Sequence, residues 1–152
     1  MYRLIKRIFD FILSLIGIAI MSPLFLIISI MIKCDTKGPV FFKQRRIGLN
    51  GKPLYIYKFR TMVTNAEELI ASFTPEQKKE WEESYKLKDD PRITRVGKIL
   101  RKTSLDELPQ LINIIKGEMS IIGPRPVVEE ELSWYGNDVD LVLSVKPGLS
   151  GM

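Results

Sequence analysis

From Phe11 to Ile32 the chain runs for 22 residues without a charge. At about 1.5 Å per residue, such a helix exceeds the roughly 20 residues needed to cross a bilayer core. A segment of this kind must satisfy its own backbone hydrogen bonds in lipid, so it is expected to be helical. Ser22-Pro23 falls at its midpoint. Proline removes one backbone donor and sets its ring against the carbonyl of Ala19, at a cost of about 3 kcal/mol in a regular helix. The expected result is a kink, which Ser22 can relieve by bonding a carbonyl in the preceding turn. Two topologies stay open on these residues: a kinked spanning helix, and a re-entrant hairpin that returns to the side it entered from. Arg3, Lys6 and Arg7 precede the segment, and Lys33, Lys37, Lys43, Arg45 and Arg46 follow it. A span would translocate one of these clusters against the positive-inside tendency, whereas a hairpin leaves both on the cytoplasmic face. A cleaved signal peptide fits poorly, because the run is too long, Asp10 interrupts its start and no small-x-small site follows.

Charge is distributed unevenly over the 152 residues, whose net value is +5. Residues 1–62 hold 11 Lys/Arg against 2 acids, residues 63–91 hold 4 against 8, and residues 92–152 hold 8 of each. The basic excess beside the apolar run points first to anionic lipid headgroups or phosphorylated ligands, and only second to nucleic acid. Cys34 stands alone, which excludes a disulfide framework and a thiolate metal site. There is no histidine, so Ser-His, Cys-His and His-metal chemistry is excluded too. An acid, base or nucleophile here has to be a carboxylate, Lys, Tyr or hydroxyl.

Beyond the apolar run, Val40 to Gln44 and Leu54 to Phe59 are β-rich stretches joined through Gly48-Leu49-Asn50-Gly51, which predicts a hairpin with basic ends. The segment Thr64 to Leu87 is acidic and helical in pattern, with Thr74 as N-cap, Pro75 at the first helical position and Gln77 completing a capping box. It is expected to be a solvated insertion without chemistry. Lys88 to Arg92 reads as a turn, Thr94 to Thr103 as a short basic helix, and Leu108 to Lys116 as a helix closed by Gly117. Ser120 to Gly123 reads as a short buried strand and Val127 to Tyr135 as another helix. No internal repeat or low-complexity tract interrupts the pattern.

Asp106 and Glu107 are adjacent in Arg101-Lys102-Thr103-Ser104-Leu105-Asp106-Glu107-Leu108-Pro109, and a further arginine follows in Gly123-Pro124-Arg125-Pro126. Two neighbouring carboxylates repel in a dry setting, so a fold that keeps both beside arginines is suited to a metal ion or to cation-bound phosphate. The competing explanation is a capping box from Ser104 to Glu107, but it would make Pro109 the fifth helical residue, where its missing N–H and its ring disrupt the ladder. Moving the N-cap to Asp106 puts Pro109 at the third position and frees Glu107. Asp106 is then either a plain cap or a nucleophile and metal ligand kept ionised by the helix N-terminus. Arg125 is fixed in direction by its flanking prolines, which suits a phosphate fork. Lys58 and Arg60 are further cations, for which snorkelling to lipid headgroups is an equal alternative.

Five motifs in order resemble the bacterial sugar transferase family of monotopic phosphoglycosyl transferases. They are Ser22-Pro23, Lys58-Phe59-Arg60-Thr61-Met62, Ser104-Leu105-Asp106-Glu107-Leu108-Pro109-Gln110, Gly123-Pro124-Arg125-Pro126 and Lys146-Pro147-Gly148-Leu149-Ser150-Gly151. The likeness covers the chain except the acidic insertion at 63–91. It implies an α+β protein, mostly helical with a small β-hairpin. Residues 1–36 would form a re-entrant membrane helix broken at Ser22-Pro23, and residues 37–152 a cytoplasmic catalytic domain at the bacterial inner membrane. It implies Mg²⁺-dependent transfer of a phosphosugar from a UDP-sugar to polyprenyl phosphate with release of UMP, the first membrane step of lipopolysaccharide, capsule, exopolysaccharide or glycoprotein assembly. In that family the first acid of the pair is the nucleophile. The resemblance thus gives Asp106 that role, Glu107 a share in Mg²⁺ binding, and Lys58, Arg101 and Arg125 the phosphate oxygens; Arg60 joins that phosphate-binding set as a further cation at the end of the second hairpin strand. It further implies that the chain, ending at Met152 inside the last motif, is C-terminally truncated relative to the family. The rival expectation is a non-catalytic module that binds anionic lipid at a membrane surface. Nucleic acid is not expected as a partner, because no stacking-aromatic pattern accompanies the basic residues.

Overall fold

A computed structural model describes residues 2–84 and 87–151. Tyr85 and Lys86, inside the predicted acidic segment, and the terminal Met152 lie outside the described residues. The apolar run belongs to one helix, α1 (Tyr2–Asp35), with Pro23 inside it. Helical structure continues through Ser22-Pro23, so the expected break is not an interruption of secondary structure. Ser22 relieves the proline as its chemistry requires. Its hydroxyl donates at 2.9 Å to Ala19 O, the carbonyl that Pro23 leaves without an amide partner. The helix is long and apolar enough to cross a membrane, and only 11% of its most apolar stretch is buried. A core helix of a water-soluble protein would be mostly covered, whereas here Leu13, Ile16, Ile20, Leu26, Ile27 and Ile30 all face outward.

The predicted hairpin forms from β1 (Phe41–Ile47) and β2 (Pro53–Phe59), paired antiparallel with Phe41 opposite Phe59 and Ile47 opposite Pro53. Asn50 takes φ 56° in the connection, a left-handed conformation that asparagine tolerates. Leu54 and Ile56 point to one face and join Ile114 and Met119; Phe59 joins Ile28, Ile32 and Leu100. The hairpin therefore ties two small cores together. Its outer edge is finished by a side chain rather than a strand: Asn113 accepts from Tyr57 N at 3.0 Å and donates to Tyr55 O at 2.8 Å.

Helix α2 (Pro75–Ser84) starts as predicted, with Thr74 N donating to Gln77 Oε1 at 3.0 Å and Gln77 N donating to Thr74 Oγ1 at 3.3 Å. The insertion is more firmly docked than its acidity suggests. Phe73 is buried, and the Arg92 guanidinium lies 5.3 Å from its ring centroid and 4.4 Å from that of Trp81. Asp90 holds the same guanidinium at 2.7 and 2.8 Å. A buried, bidentate and stacked arginine thus fastens the insertion.

Helix α3 (Arg95–Thr103) is capped by Thr94, whose side chain accepts from Gly97 N. A Cβ at Gly97 would lie 2.1 Å from Thr61 O, so helix and chain meet backbone to backbone there. Gly97→Ala should therefore push α3 away, with a loss of about 1–3 kcal/mol readable in denaturant unfolding. Helix α4 (Gln110–Lys116) ends as predicted at Gly117, with φ 83°. The short strand β3 (Ser120–Ile122) is buried at Ser120 but exposed at Ile122, and it pairs in parallel with β4 (Gly148–Ser150). The helix expected over Val127 to Tyr135 is instead 3₁₀ structure over Glu129–Asp138, followed by the short helix α5 (Val139–Leu143). Gly136, at φ 51° and ψ −120°, prevents a regular helix there.

Both halves of α1 are fastened to this one globular part. Near its start, Arg7 donates to Ile114 O at 2.5 Å and Ile115 O at 2.6 Å, closing the carbonyl end of α4. Asp10 accepts from Ser120 Oγ at 2.7 Å, and Lys6 contacts both Asp10 and Ser120. Near its end, Ile28 and Ile32 pack on Phe59 and Leu100, and Asp35 accepts from Val96 N at 3.0 Å.

Candidate active site

The turn between α3 and α4 is built by two leucines. Ser104 ends α3 in the left-handed region, φ 56° and ψ 17°, and a single 3₁₀ turn, Leu105–Glu107, follows. Leu105 and Leu108, three apart, both pack against the Ile28, Ile32, Phe59 and Leu100 cluster. The two acids between them stay outside that cluster, and Pro109 precedes α4 at a position where its missing N–H costs nothing. Neither cap expected from the sequence forms. Ser104 and Pro109 make no side-chain cap bond, and Asp106 lies within the 3₁₀ turn rather than at the start of α4.

Around this turn the end of β2 supplies cations. Lys58 Nζ donates to Glu107 Oε1 at 2.8 Å. Thr61, in the same run, accepts from Arg101 Nε at 2.9 Å and so aims that guanidinium from the last turn of α3. Asp106 is held above the usual carboxylate range, chiefly because burial strips its solvation. The Glu107 charge adds to this, while Lys58, Arg101 and the Asp106 backbone N–H oppose it. The expected effect of a helix N-terminus, a carboxylate kept readily ionised, is therefore reversed: desolvation outweighs the cations, and no α-helix begins at Asp106.

Of the other predicted site residues, Arg60 turns away. It is buried, donating to Thr36 O at 2.8 Å and Lys37 O at 2.6 Å, in the chain just past the end of α1. The reason is local: Arg60 lies past the last residue of β2, and its N–H bonds Val40 O, which swings the side chain toward α1. Arg125 is solvent-exposed and meets Glu131 at 3.4 Å. A further arginine, not among the predicted site residues, lies near them. Arg46 is half-buried beside Glu131 at 3.6 Å and within electrostatic reach of Glu107 and Arg125. Its signal was in the hairpin register, where Arg46 sits opposite the apolar Leu54 and so shares its inward face.

Among the described residues no three acidic, cysteine or histidine side chains converge as a ready metal cage. The adjacent carboxylates of Asp106 and Glu107 are instead the kind of partial donor set that suits a hard cation shared with substrate oxygens. A cavity of about 340 Å³ lined by Lys43, Pro53, Leu54, Tyr55, Tyr57 and Glu118 holds none of the predicted site residues.

The family model for bacterial sugar transferases matches residues 1–152. The chain is 47% identical over 150 residues to the exopolysaccharide production protein ExoY of Sinorhizobium fredii, covering 97% of this chain and 66% of that protein. It is 46% identical over 153 residues to an undecaprenyl-phosphate galactose phosphotransferase of Salmonella typhimurium, covering 99% and 32%. It is 39% identical over 153 residues to a UDP-glucose:undecaprenyl-phosphate glucose-1-phosphate transferase of Escherichia coli, covering 98% and 30%. The chain thus spans 66% of the first of these proteins and about a third of the other two.

Proposed function

The chain belongs to the bacterial sugar transferase family, and we propose that it moves a phosphosugar from a UDP-sugar to polyprenyl phosphate, releasing UMP. The observation that carries this reading is Asp106: a desolvated carboxylate with no capping duty, set between the charges of Lys58 and Arg101. An oxygen of Asp106 attacks the β-phosphorus of the donor. The bond from that phosphorus to the bridging oxygen breaks, and its electron pair leaves with UMP. An oxygen of polyprenyl phosphate then attacks the same phosphorus and returns the electron pair to Asp106. Phosphoryl transfer asks a protein mainly for position and charge compensation, so histidine is not needed. Lys58 and Arg101 compensate the donor phosphate, with Thr61 fixing the direction of Arg101. Asp106 and Glu107 would hold Mg²⁺, which when bound supplies positive charge to the diphosphate oxygens. Arg60 is given no substrate contact in this reading, because its guanidinium donates to Thr36 O and Lys37 O just past α1.

The re-entrant reading is favoured by the double attachment of α1. Its first third is fixed to α4 and β3, and its last third to β2 and α3. A helix crossing the bilayer would carry one of these ends to the far side, away from the domain that both ends grip. Residues 1–36 then lie in the cytoplasmic leaflet of the bacterial inner membrane, and residues 37–152 hold the site at headgroup depth, where a lipid phosphate resides. Tags at the two ends of residues 1–38 should both be reached by a membrane-impermeant reagent from the cytoplasmic side. Accessibility from opposite sides would make α1 a span.

UMP release, measured with Mg²⁺ and polyprenyl phosphate, tests the reaction. UDP-galactose, UDP-N-acetylgalactosamine and UDP-glucose form the panel, matching the sugars in the names of relatives. Release from at least one is expected. No release from any would leave a non-catalytic lipid-binding module as the better account.

A further inference from the structure

Arg46 is placed like a ligand-binding residue, yet its protein partners leave it incomplete. Its side chain is 10% exposed, and its buried Nε–H has no hydrogen-bond acceptor among the described residues. Arginine presents its donors as a rigid fork, and an orphaned buried donor is costly, so such a fork is normally completed by an anion. The acid beside it, Glu131, stands 3.6 Å from Nη1, too far for a hydrogen bond. The same carboxylate is 3.4 Å from Arg125 Nη2 and accepts from Val128 N at 3.2 Å. One carboxylate is therefore spread over two guanidiniums and one amide, satisfying the amide but saturating neither guanidinium. The arginines are kept in place by the backbone: Ile47 N donates to Val127 O at 2.8 Å, tying the residue after Arg46 to the Pro-Arg-Pro segment.

We propose that Arg46 and Arg125 form an anion subsite beside the carboxylate pair, occupied by Glu131 in the free protein and taken over by the phosphate of the departing nucleotide. This rests on the transfer reaction proposed above. As the bond to the bridging oxygen breaks, negative charge collects on the nucleotide phosphate, on the side away from Asp106. Lys58 and Arg101 serve the phosphate under attack and do not serve this one. A phosphate near neutral pH carries up to two charges and three oxygens, so it can fill the Arg46 fork and reach Arg125 together. Glu131 offers one charge and is already shared with the Val128 amide. It offsets the repulsion between two neighbouring cations until the nucleotide arrives and then yields.

Calorimetric titration of the full chain with UMP, inorganic pyrophosphate and uridine tests this. Glu131→Gln should bind UMP and pyrophosphate several-fold more tightly than the parent. Arg46→Gln should bind both about tenfold more weakly, and Arg46→Lys should recover only part of the loss. Uridine, which has no phosphate, should bind all four proteins alike. UMP affinities that stay at the parent value in Glu131→Gln and Arg46→Gln, or that change in step with uridine, would overturn the subsite. Failure of the transferase reading looks different, because the parent itself would then neither bind nor release UMP.

Discussion

Asp106→Asn is expected to cut UMP release by about 10³-fold or more while raising the thermal midpoint of the free protein. The loss would follow from removing the proposed attacking oxygen; an amide cannot form the acyl-phosphate link to the phosphosugar. The gain follows from burial. Asp106 lies above the usual carboxylate range because desolvation, with the Glu107 charge adding to it, outweighs Lys58 and Arg101. A carboxyl whose folded value is raised favours the fold most when protonated, at a pH below the ordinary carboxylate range. That contribution is lost as pH rises through the raised value, so at neutral pH the ionised form opposes folding. Asparagine has no charge to desolvate, and a rise of a few degrees, about 2–8 °C, is the scale expected for a relieved site in a chain of this size. The advantage should shrink toward zero as the melting pH is lowered to about 4. A less stable variant at neutral pH would mean that Asp106 has a structural duty.

Arg101→Gln should lower kcat by about 10²-fold and move the acid limb of the pH–rate profile upward. Arg101 lowers the Asp106 value, so without it the carboxylate is harder to ionise and the nucleophile becomes available only at higher pH. Arg101→Lys restores a charge but not the Nε–H that Thr61 aims, so it should recover the position of the limb better than kcat. A profile that keeps its limb while activity falls would separate Arg101 from Asp106.

Features set within a few residues were legible before the fold was known. The Ser22 bond to Ala19 O, the Thr74 and Gln77 capping box, the Asn50 turn and the Gly117 cap each depend on chemistry confined to one or two turns. What escaped was decided by distant packing. The Asp106 turn is a 3₁₀ turn rather than a helix start because Leu105 and Leu108 dock on a core made by α1, β2 and α3. Lys58 and Arg60 look equivalent in the chain, but the first reaches Glu107 while the second bonds the chain just past α1. Arg46 read as one basic residue among several at the end of the apolar run, and only the hairpin register gives it an inward face. The partner of β3 was hidden for the same reason: Gly148 to Ser150 has little strand propensity, and its pairing follows from the close approach of Gly148 to Gly123.

Asp106 is proposed as the group that carries the phosphosugar, a role that can be read from the protein itself. It is tested most directly by incubating the protein with UDP-sugar and Mg²⁺ in the absence of polyprenyl phosphate, then analysing its peptides by mass spectrometry. Near-stoichiometric UMP and a sugar-phosphate adduct on the peptide that contains Asp106, absent from Asp106→Asn, are expected. UMP released only when the acceptor is present, with no adduct on that peptide, would contradict it.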